Sequence, residues 1–346
     1  MCSSSRSIKS FSIEEISSLF SEIGLPSFRV NQLLEWLYVK SASSYDEMTN
    51  LPKSLREQLA SSFPLHVPEV EQTSVSSDDS RKYLLRFNDD SLVETVGIPS
   101  ESGRLTVCVS TQSGCAMSCV FCATGKAGFK RNLLPGEIVD QINVVQRDFD
   151  ERISNVVLMG QGEPFANYDN VLAALRIINH PKLINIGARR LAISTCGLLD
   201  GIRKFSDEPE QFTLAVSLHA AQQSTRDYLI PAMKSQRLDT LHKVLEEYTN
   251  RTGRRITFEY ALMKDLNDGD EDLLALLEYC HNLLCHVNLI PLNDIPGSEI
   301  KPSSPATLRL WNEKLLESGV TSSIRHSRGS DIAAACGQLA SQYRNR

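Results

Sequence analysis

The sequence lacks long apolar runs. No stretch of its 346 residues approaches the roughly 20 apolar residues that a membrane-spanning helix needs. Met1 is followed by one early charge, Arg6, and no apolar run, which is unlike a secretory signal. Low-complexity tracts and short internal repeats are also absent, which argues against a repeat architecture. We therefore expect a cytoplasmic monomer with no membrane partner.

An excess of positive charge is missing as well. Lys and Arg number 36 against 42 Asp and Glu, the net charge is −6 and the pI is about 5.7. This balance taken alone argues against a nucleic-acid-binding protein, unless basic residues are concentrated locally. Three groups of basic residues are concentrated in this way. Each suits phosphate contacts near one site, although a solvated surface charge is the ordinary alternative. The groups are Lys126, Lys130 and Arg131; Arg189 and Arg190; and Arg325 with Arg328.

The hydrophobic pattern divides the chain into three parts. Residues 1–65 carry apolar side chains at helical spacing and predict a helical accessory domain. Residues 66–100 predict a β extension, with strands at Lys82–Phe87 and Ser91–Ile98. Residues 101–346 alternate strands with amphipathic runs, which indicates a parallel α/β sheet, either a full or partial barrel or an open doubly wound sheet. Its candidate strands are Leu105–Ser110, Asn155–Met159, Leu191–Ser194, Thr213–Ser217, Ile256–Ala261 and Val287–Ile290.

Three of the nine cysteines form a tight cluster, because Cys115, Cys119 and Cys122 directly follow the first strand of this series. In a reducing compartment such a cluster indicates metal binding or catalysis rather than disulfides. Three thiolates can ligate three irons of a 4Fe–4S cluster and leave the fourth iron open for a small molecule. A structural zinc site is the weaker alternative, since zinc usually takes four ligands and no fourth Cys or His lies nearby.

Unusual residues also follow the later strands. Gly160–Pro164 comes after the second strand, Ser194 ends the third, Ser217–His219 end the fourth, and Asn293 follows the sixth. Each one alone is an ordinary turn or polar residue. Functional groups of α/β barrels gather at the carboxyl ends of the strands, so together these residues predict one site beside the cysteines.

The Cys-x-x-x-Cys-x-x-Cys spacing, with Phe121 before its last cysteine, resembles the radical S-adenosylmethionine (SAM) superfamily. The resemblance implies a partial parallel α/β barrel, here with a small N-terminal helical domain and a β extension. It also implies that Cys115, Cys119 and Cys122 hold a 4Fe–4S cluster. The open iron would bind the amino and carboxylate groups of SAM, and one electron would cleave SAM to a 5′-deoxyadenosyl radical.

Longer motifs resemble a narrower family, the RlmN/Cfr-type adenine RNA methyltransferases, and its RlmN branch most. The resemblance covers residues 10–340 and implies SAM contacts from the strand ends; Gln161 stands where relatives often carry Met. The matching runs are Gln112–Leu133, Met159–Pro164, Ser217–Ala220, Asn288–Asn293 and Arg325–Leu339. The implied SAM contacts are Gly162, Glu163, Ser194, Ser217, Leu218, His219 and Asn293.

The same resemblance gives roles to three further residues. Cys336 would carry the methyl group and Cys108 would resolve the protein–RNA adduct, although a cysteine among small residues is usually a buried hydrophobe. Glu94 would be the general base. Strand alternation places Glu94 on an apolar face, but the pattern fits a surface glutamate on an exposed hairpin about as well.

The function implied is methylation of carbon 2 of an adenine in 23S ribosomal RNA, and of the adenine 3′ of the transfer RNA anticodon. Two SAM molecules, a flavodoxin-like low-potential electron donor and a thiol reductant are implied with it. A Cfr-like methylation of carbon 8 is the alternative within the family. A non-catalytic iron–sulfur protein is the alternative from another class, and it would need neither the strand-end residues nor Cys336.

Overall fold

The computed structural model describes residues 7–295 and 298–340, so the outer ends of the first and third proposed parts lie outside the described residues. Three helices come first: α1 (Ile13–Glu22), α2 (Ser27–Tyr38) and α3 (Lys53–Ser62). Helix α1 starts at a capping box, in which Ser12 and Glu15 bond each other's backbone N–H. Apolar residues at helical spacing are fully buried, and each such large side chain contributes about 1.5–3 kcal/mol. They include Ile16, Phe20, Leu33, Leu34 and Leu37.

An antiparallel ribbon follows, made of β1 (Glu69–Val75), β2 (Arg81–Arg86) and β3 (Leu92–Pro99). The two predicted strands of the extension correspond to β2 and β3 within a residue or so at each end. The turn between these strands contains Asp90, which has a positive φ of 60°. Strand β3 continues into the main sheet, because it pairs antiparallel with the next strand of the chain.

The main part of the sheet is parallel, as predicted. All six candidate strands are present, and a seventh short strand, β12, was not predicted. The strands are β4 (Leu105–Cys108), β7 (Ile153–Leu158), β8 (Leu191–Thr195), β9 (Thr213–Ser217), β10 (Ile256–Leu262), β11 (Cys285–Pro291) and β12 (Ser322–Ile324). Two further strands, β5 (Gln112–Gly114) and β6 (Phe129–Asn132), form a separate ribbon that flanks the predicted cysteine cluster.

Helices connect the parallel strands. The amphipathic runs predicted at 138–145, 171–178 and 238–248 lie within helices, and the run at 273–284 extends past the end of its helix at Cys280. The helices are α4 (Ala123–Ala127), α5 (Pro135–Phe149), α6 (Tyr168–Asn179), α7 (Leu199–Asp207), α8 (Gln223–Leu229), α9 (Leu238–Thr252), α10 (Asp270–Cys280) and α11 (Pro305–Glu317).

The order of the strands settles the architecture. The ten-stranded sheet runs β1-β2-β3-β4-β7-β8-β9-β10-β11-β12, so each parallel strand lies beside its predecessor in that series. A doubly wound sheet needs a reversal of strand order, and none occurs here. Within the part of the chain that the structure describes, β1 and β12 do not pair with each other. The sheet is therefore an open, partial parallel barrel extended by an antiparallel ribbon.

None of the helices built from the described residues has the length and apolar character needed to cross a membrane.

Candidate active site

One cavity, with an empty volume of about 930 Å³, lies at the carboxyl ends of the parallel strands. It brings together residues from the loop after β4, from the ends of β7, β8 and β9, and from the C-terminal region. The predicted residues that line it are Cys115, Cys119, Cys122, Gly162, Glu163, Ser194, Ser217, His219, Asn293 and Cys336.

The cysteine loop, residues 114–122, is held by backbone contacts. Gly114 has a φ of 74°, and a Cβ there would overlap the carbonyl oxygen of Gly128, so this position requires glycine. The backbone N–H of Cys115 donates to that carbonyl at 3.0 Å. Burial raises the pKa of the Cys115 thiol to about 12, and the pKa of Cys122 is raised for the same reason. Burial therefore disfavours the free thiolates of Cys115 and Cys122, and a bound metal would offset that cost.

The cysteine loop fits a 4Fe–4S cluster by its donor set and position. Three thiols share one wall of a cavity that is otherwise largely apolar. Among the described residues, no three His, Cys, Asp or Glu side chains converge closely enough to bind a single metal ion. A cubane does not require such convergence, because each thiolate bonds a different iron. The arrangement thus suits a cluster better than a mononuclear zinc ion.

Glu163 is the buried carboxylate of the cavity. Its Oε2 accepts a hydrogen bond from the backbone N–H of Cys196 at 2.7 Å, and its Oε1 accepts one from Phe165 at 3.0 Å. Burial raises the pKa of Glu163, while these hydrogen bonds act in the opposite direction. Gly162, at φ 107°, lies so close to Gln112 that a Cβ would come within 2.7 Å of that side chain. The Glu163 carboxylate is therefore a fixed hydrogen-bond acceptor, and the adjacent Gly162 has no side chain to keep a ligand away from the backbone.

The ends of β8 and β9 add hydroxyl and imidazole groups. The hydroxyls of Ser194 and Ser217 lie 3.2 Å apart. The ring of His219 packs edge-on against Phe121 with centroids 4.8 Å apart, and its Nδ1 accepts from the backbone N–H of Ala261 at 3.0 Å. Burial lowers the pKa of His219 to about 3, so the ring is neutral at physiological pH. Leu218 differs from its neighbours, because its side chain packs in the main hydrophobic core rather than against the cavity.

Cys336 and Cys108 both line a second cavity, of about 1000 Å³, that shares a wall with the first. Cys108 ends β4 and is buried with Val96. Burial, followed by the nearby charge of Cys336, raises the pKa of Cys108 to about 12. The Cys336 carbonyl accepts from Asn293 Nδ2 at 3.2 Å, and the next carbonyl, of Gly337, accepts from Ala123 N–H at 2.7 Å. The fold thus brings two cysteines that are far apart in sequence to one cavity.

Glu94 lines neither cavity. It is 2% exposed, which overturns the alternative of a surface glutamate on an exposed hairpin. Lys82 forms a buried salt bridge with Glu94 at 2.8 Å, and the backbone N–H of Ala340 donates to Glu94 Oε2 at 2.6 Å. The carboxylate of Glu94 is therefore held between Lys82 and the segment of chain that follows Cys336.

Two residues that line the cavity, Cys196 and Glu259, were not predicted from the sequence. Arg325 was predicted to contact phosphate, but the sequence did not indicate that its side chain lines this cavity. Glu259 is 5% exposed, accepts from Asn288 Nδ2 at 2.9 Å and lies 3.7 Å from Arg325. A carboxylate in the middle of the apolar strand β10 was a readable signal for Glu259. Nothing local marked Cys196, and the neighbouring Cys119 thiol is the largest cause of its raised pKa.

The basic groups predicted for phosphate contacts do not all lie where expected. Arg189 and Arg190 precede β8, so they lie at the amino end of that strand, opposite the cavity; this placement was wrong because only the carboxyl ends meet at the site. Arg131 is compensated by salt bridges to Glu137 and Asp89. Arg325 faces the cavity. Lys126, Lys130 and Arg328 are the remaining candidates, and both lysines are exposed.

Comparison with known proteins adds independent evidence. Residues 109–277 match the radical SAM superfamily, and residues 7–64 match the ribosomal RNA large subunit methyltransferase N-terminal domain. The probable dual-specificity RNA methyltransferase RlmN of Bacillus velezensis is 44% identical over 98% of this chain and 94% of its own length. Its namesake from Clostridium novyi is 39% identical over 98% of each chain. The crystal structure of a radical SAM methyltransferase from Sphaerobacter thermophilus matches with a TM-score of 0.92 and 38% identity, over 97% of this chain and 100% of that one.

Proposed function

Because the chain belongs to the RlmN family of radical SAM RNA methyltransferases, we propose that it methylates carbon 2 of an adenine in RNA. The substrates proposed are 23S ribosomal RNA and the adenine 3′ of the transfer RNA anticodon. One observation supports the proposal most. A single cavity contains the cysteine loop, the buried acceptor Glu163 and the distant Cys336. A plain electron carrier has no need of the last two.

Membership of the superfamily implies SAM and a 4Fe–4S cluster. Cys115, Cys119 and Cys122 would hold the cluster, and the strand ends would hold SAM. Glu163 is placed to accept hydrogen bonds from an amine, and its raised pKa suits a partner that brings a positive charge. SAM and the 4Fe–4S cluster together supply a 5′-deoxyadenosyl radical when both are bound. The remaining SAM contacts proposed line the cavity, except Leu218, which is proposed from the family resemblance alone because its side chain packs in the core. They are Gly162, Ser194, Ser217, Leu218, His219 and Asn293.

Cys336 is proposed to carry the methyl group. Carbon 2 of adenine is electron-poor and does not attack the methyl of SAM, whereas a thiolate sulfur can displace it. The Arg325 guanidinium shares the cavity, and the charge of the Cys336 thiolate is the largest cause of the raised pKa of Arg325. A fixed cation thus faces the sulfur that must become nucleophilic. The radical derived from a second SAM would remove a hydrogen atom from this methyl group. The resulting methylene carbon, still bonded to the Cys336 sulfur, could then bond carbon 2 of the adenine.

Release of the product would need two further residues. Glu94 is proposed to take the ring proton, and the Cys108 thiolate to attack the Cys336 sulfur. The unpaired electron that addition leaves on the ring would pass to the cluster that SAM cleavage had oxidised. The bond from the Cys336 sulfur to carbon then breaks as the Cys108–Cys336 bond forms, the released carbon takes up a proton to become the methyl group, and a thiol reductant restores both thiols. Glu94 now accepts from Lys82 and from the Ala340 N–H. Its action as a base therefore requires a shift of the chain near Ala340 when RNA enters.

Several further elements of the proposal come from the sequence and the family resemblance. These are a low-potential, flavodoxin-like electron donor, a cytoplasmic location and a monomeric state. The division of the chain is also proposed: a helical accessory domain at 1–65, a β extension at 66–100 and the catalytic domain at 101–346.

The direct test is anaerobic incubation of the reconstituted enzyme with a reductant, methyl-labelled SAM and each RNA class in turn. Nucleoside mass spectrometry then separates 2-methyladenosine from 8-methyladenosine. The first product supports the proposal, and 8-methyladenosine would replace it with the Cfr-like activity. Cluster formation without SAM cleavage would favour a non-catalytic iron–sulfur protein.

A further inference from the structure

Three cationic side chains of the described residues are buried: Lys9, Lys82 and Arg226. Lys9 forms a salt bridge with Asp140 at 2.5 Å, and Lys82 forms the one with Glu94. Arg226 is only 2% exposed, and no carboxylate of the described residues lies within salt-bridge distance of it. A buried charge without an ionic partner is strongly unfavourable. Arg226 is therefore the exception that needs an explanation.

Backbone carbonyls are the hydrogen-bond partners of Arg226. Its Nη2 donates to the carbonyl of Cys196 at 2.6 Å, and its Nη1 donates to the carbonyls of Ser217, at 3.0 Å, and Leu218. The guanidinium thus joins the carboxyl ends of β8 and β9, two of the strands whose ends carry the proposed SAM contacts. These neutral partners offset its burial in part only, since burial still lowers the pKa of Arg226.

The helix that carries Arg226 also supports the cysteine loop. The backbone N–H of Val120 donates to the carbonyl of Leu229, the last residue of α8, at 3.1 Å. Leu229 and the adjacent Ile230 belong to the apolar cluster that contains Cys115 and Cys119. The charges of the Cys119 and Cys196 thiols act on the pKa of Arg226. The guanidinium therefore lies within electrostatic range of the cluster-binding thiols.

A bound cluster would supply the missing negative charge. Three thiolates outweigh the charge of the oxidised cluster core, and one-electron reduction makes the assembly more negative. A fixed cation in a water-poor interior favours that change, because net charge is one of the factors that set cluster potentials. We propose that Arg226 is the buried counter-charge of the iron–sulfur cluster and that its charge eases the one-electron reduction which SAM cleavage requires. Arg226 is a positioning residue here, since it acts through the cluster.

This inference rests on the proposed function, because it presumes that the cysteine loop binds the cluster. The test compares Arg226→Gln, which removes the charge, with Arg226→Lys, which keeps it. Arg254→Gln is the matched control. Arg254 also donates to two backbone carbonyls, those of Glu208 and Glu210, but it precedes β10 at the end of the strand that faces away from the cavity.

Each variant is reconstituted anaerobically, its iron and sulfide per chain are measured, and its unfolding is compared without the cluster. The cluster is then titrated with reductant and followed by electron paramagnetic resonance. In Arg226→Gln we expect the equilibrium constant for reduction to fall at least about tenfold, which for one electron corresponds to about 59 mV. Arg226→Lys should stay within about threefold of wild type, and Arg254→Gln should match wild type.

A loaded Arg226→Gln variant with an unchanged potential would overturn the inference and leave the proposed function intact. If that variant does not load, Asp227→Asn gives the second test. Asp227 is half-buried on the same helix and accepts a hydrogen bond from Gln223 Nε2 at 2.7 Å. Its negative charge partly offsets the positive charge of Arg226 and raises the pKa of that guanidinium. Its loss should make reduction easier, and no change or a harder reduction would count against the inference. A wild-type chain that binds no cluster would instead remove the proposed function itself.

Discussion

Two cysteine-bearing regions meet at the cavity, and they differ in how they are built. The cysteine loop, residues 114–122, follows one strand and places three thiols on a stretch of nine residues. The C-terminal segment, residues 325–340, contributes one thiol, and its position depends on partners far away in sequence. Gly329 N–H donates to Asp78 at 2.9 Å, and Ser76 donates to Asp331 at 2.6 Å. The spacing of the thiols is local in the first region, whereas the position of Cys336 depends on long-range contacts.

The comparison has a functional consequence. A locally specified loop can fold around a metal and keep its geometry throughout the reaction. A segment held by scattered hydrogen bonds can be released and returned, as a group that carries a substrate must be. Substitutions in the first region should therefore remove the cofactor, whereas those in the second should interrupt the reaction at a later step.

The largest effect is expected from Cys119→Ala, which removes one ligand of the cluster. Bound iron and methyl transfer should both fall to background, because three thiolates are the only protein ligands proposed. Cys280→Ala, at a buried cysteine of α10 outside both cavities, is the control and should retain both. Iron analysis and transfer of label to RNA measure the outcome. Normal iron content in Cys119→Ala would contradict the cysteine assignment.

The C-terminal segment should behave differently. Cys336→Ala should keep its cluster and still cleave SAM, yet transfer no methyl group to RNA.

Cys108→Ala should form a covalent protein–RNA adduct, because addition precedes the attack that releases the product. Denaturing gel electrophoresis with labelled RNA detects the adduct. Free RNA with normal turnover in Cys108→Ala would remove Cys108 from the mechanism.

A smaller effect is expected from Glu163→Gln. The amide keeps one oxygen acceptor but loses the charge, and a charged hydrogen bond contributes about 1.5–3 kcal/mol. SAM affinity of the cluster-loaded enzyme should therefore fall by roughly 10- to 100-fold. Equilibrium binding under anaerobic conditions measures this change, with iron content as the control for loading. Unchanged affinity would show that Glu163 is not a SAM contact.

The smallest effect concerns pH. The pKa of His219 is about 3 in the fold and about 6.5 in an unfolded chain, so below pH 6.5 the unfolded state binds the extra proton. Stability from this group is complete above pH 6.5 and falls by about 1.4 kcal/mol per unit as the pH drops toward 3. Urea unfolding of the cluster-free protein at pH 7.5 and 5.5 tests this. The loss on acidification should be smaller in His219→Gln than in wild type; equal losses would contradict the shift.

Much of the fold could be read from the sequence, since the six parallel strands and two of the three strands of the extension, β2 and β3, follow simple hydrophobic periods. Strand β12 escaped prediction because three residues are too few to show a period. The cysteine loop was recognisable because its ligands are close in sequence. Arg189 and Arg190 were misplaced because charge alone does not tell which end of a strand a residue occupies. Cys196 and Arg226 were missed because they became site residues only through the packing of separate strands, whereas Glu259 had a readable signal, its carboxylate within the apolar strand β10.

By itself the sequence determined the cluster-binding spacing, the parallel strands and the family to which the chain belongs, because local periods and short motifs suffice for these. Only the tertiary structure decided that Cys336 and Cys108 line one cavity, that Glu94 is buried against Lys82 and that no carboxylate of the described residues forms a salt bridge with Arg226. These are contacts between residues far apart in the chain. They exist only where the sheet brings the strand ends and the C-terminal segment together.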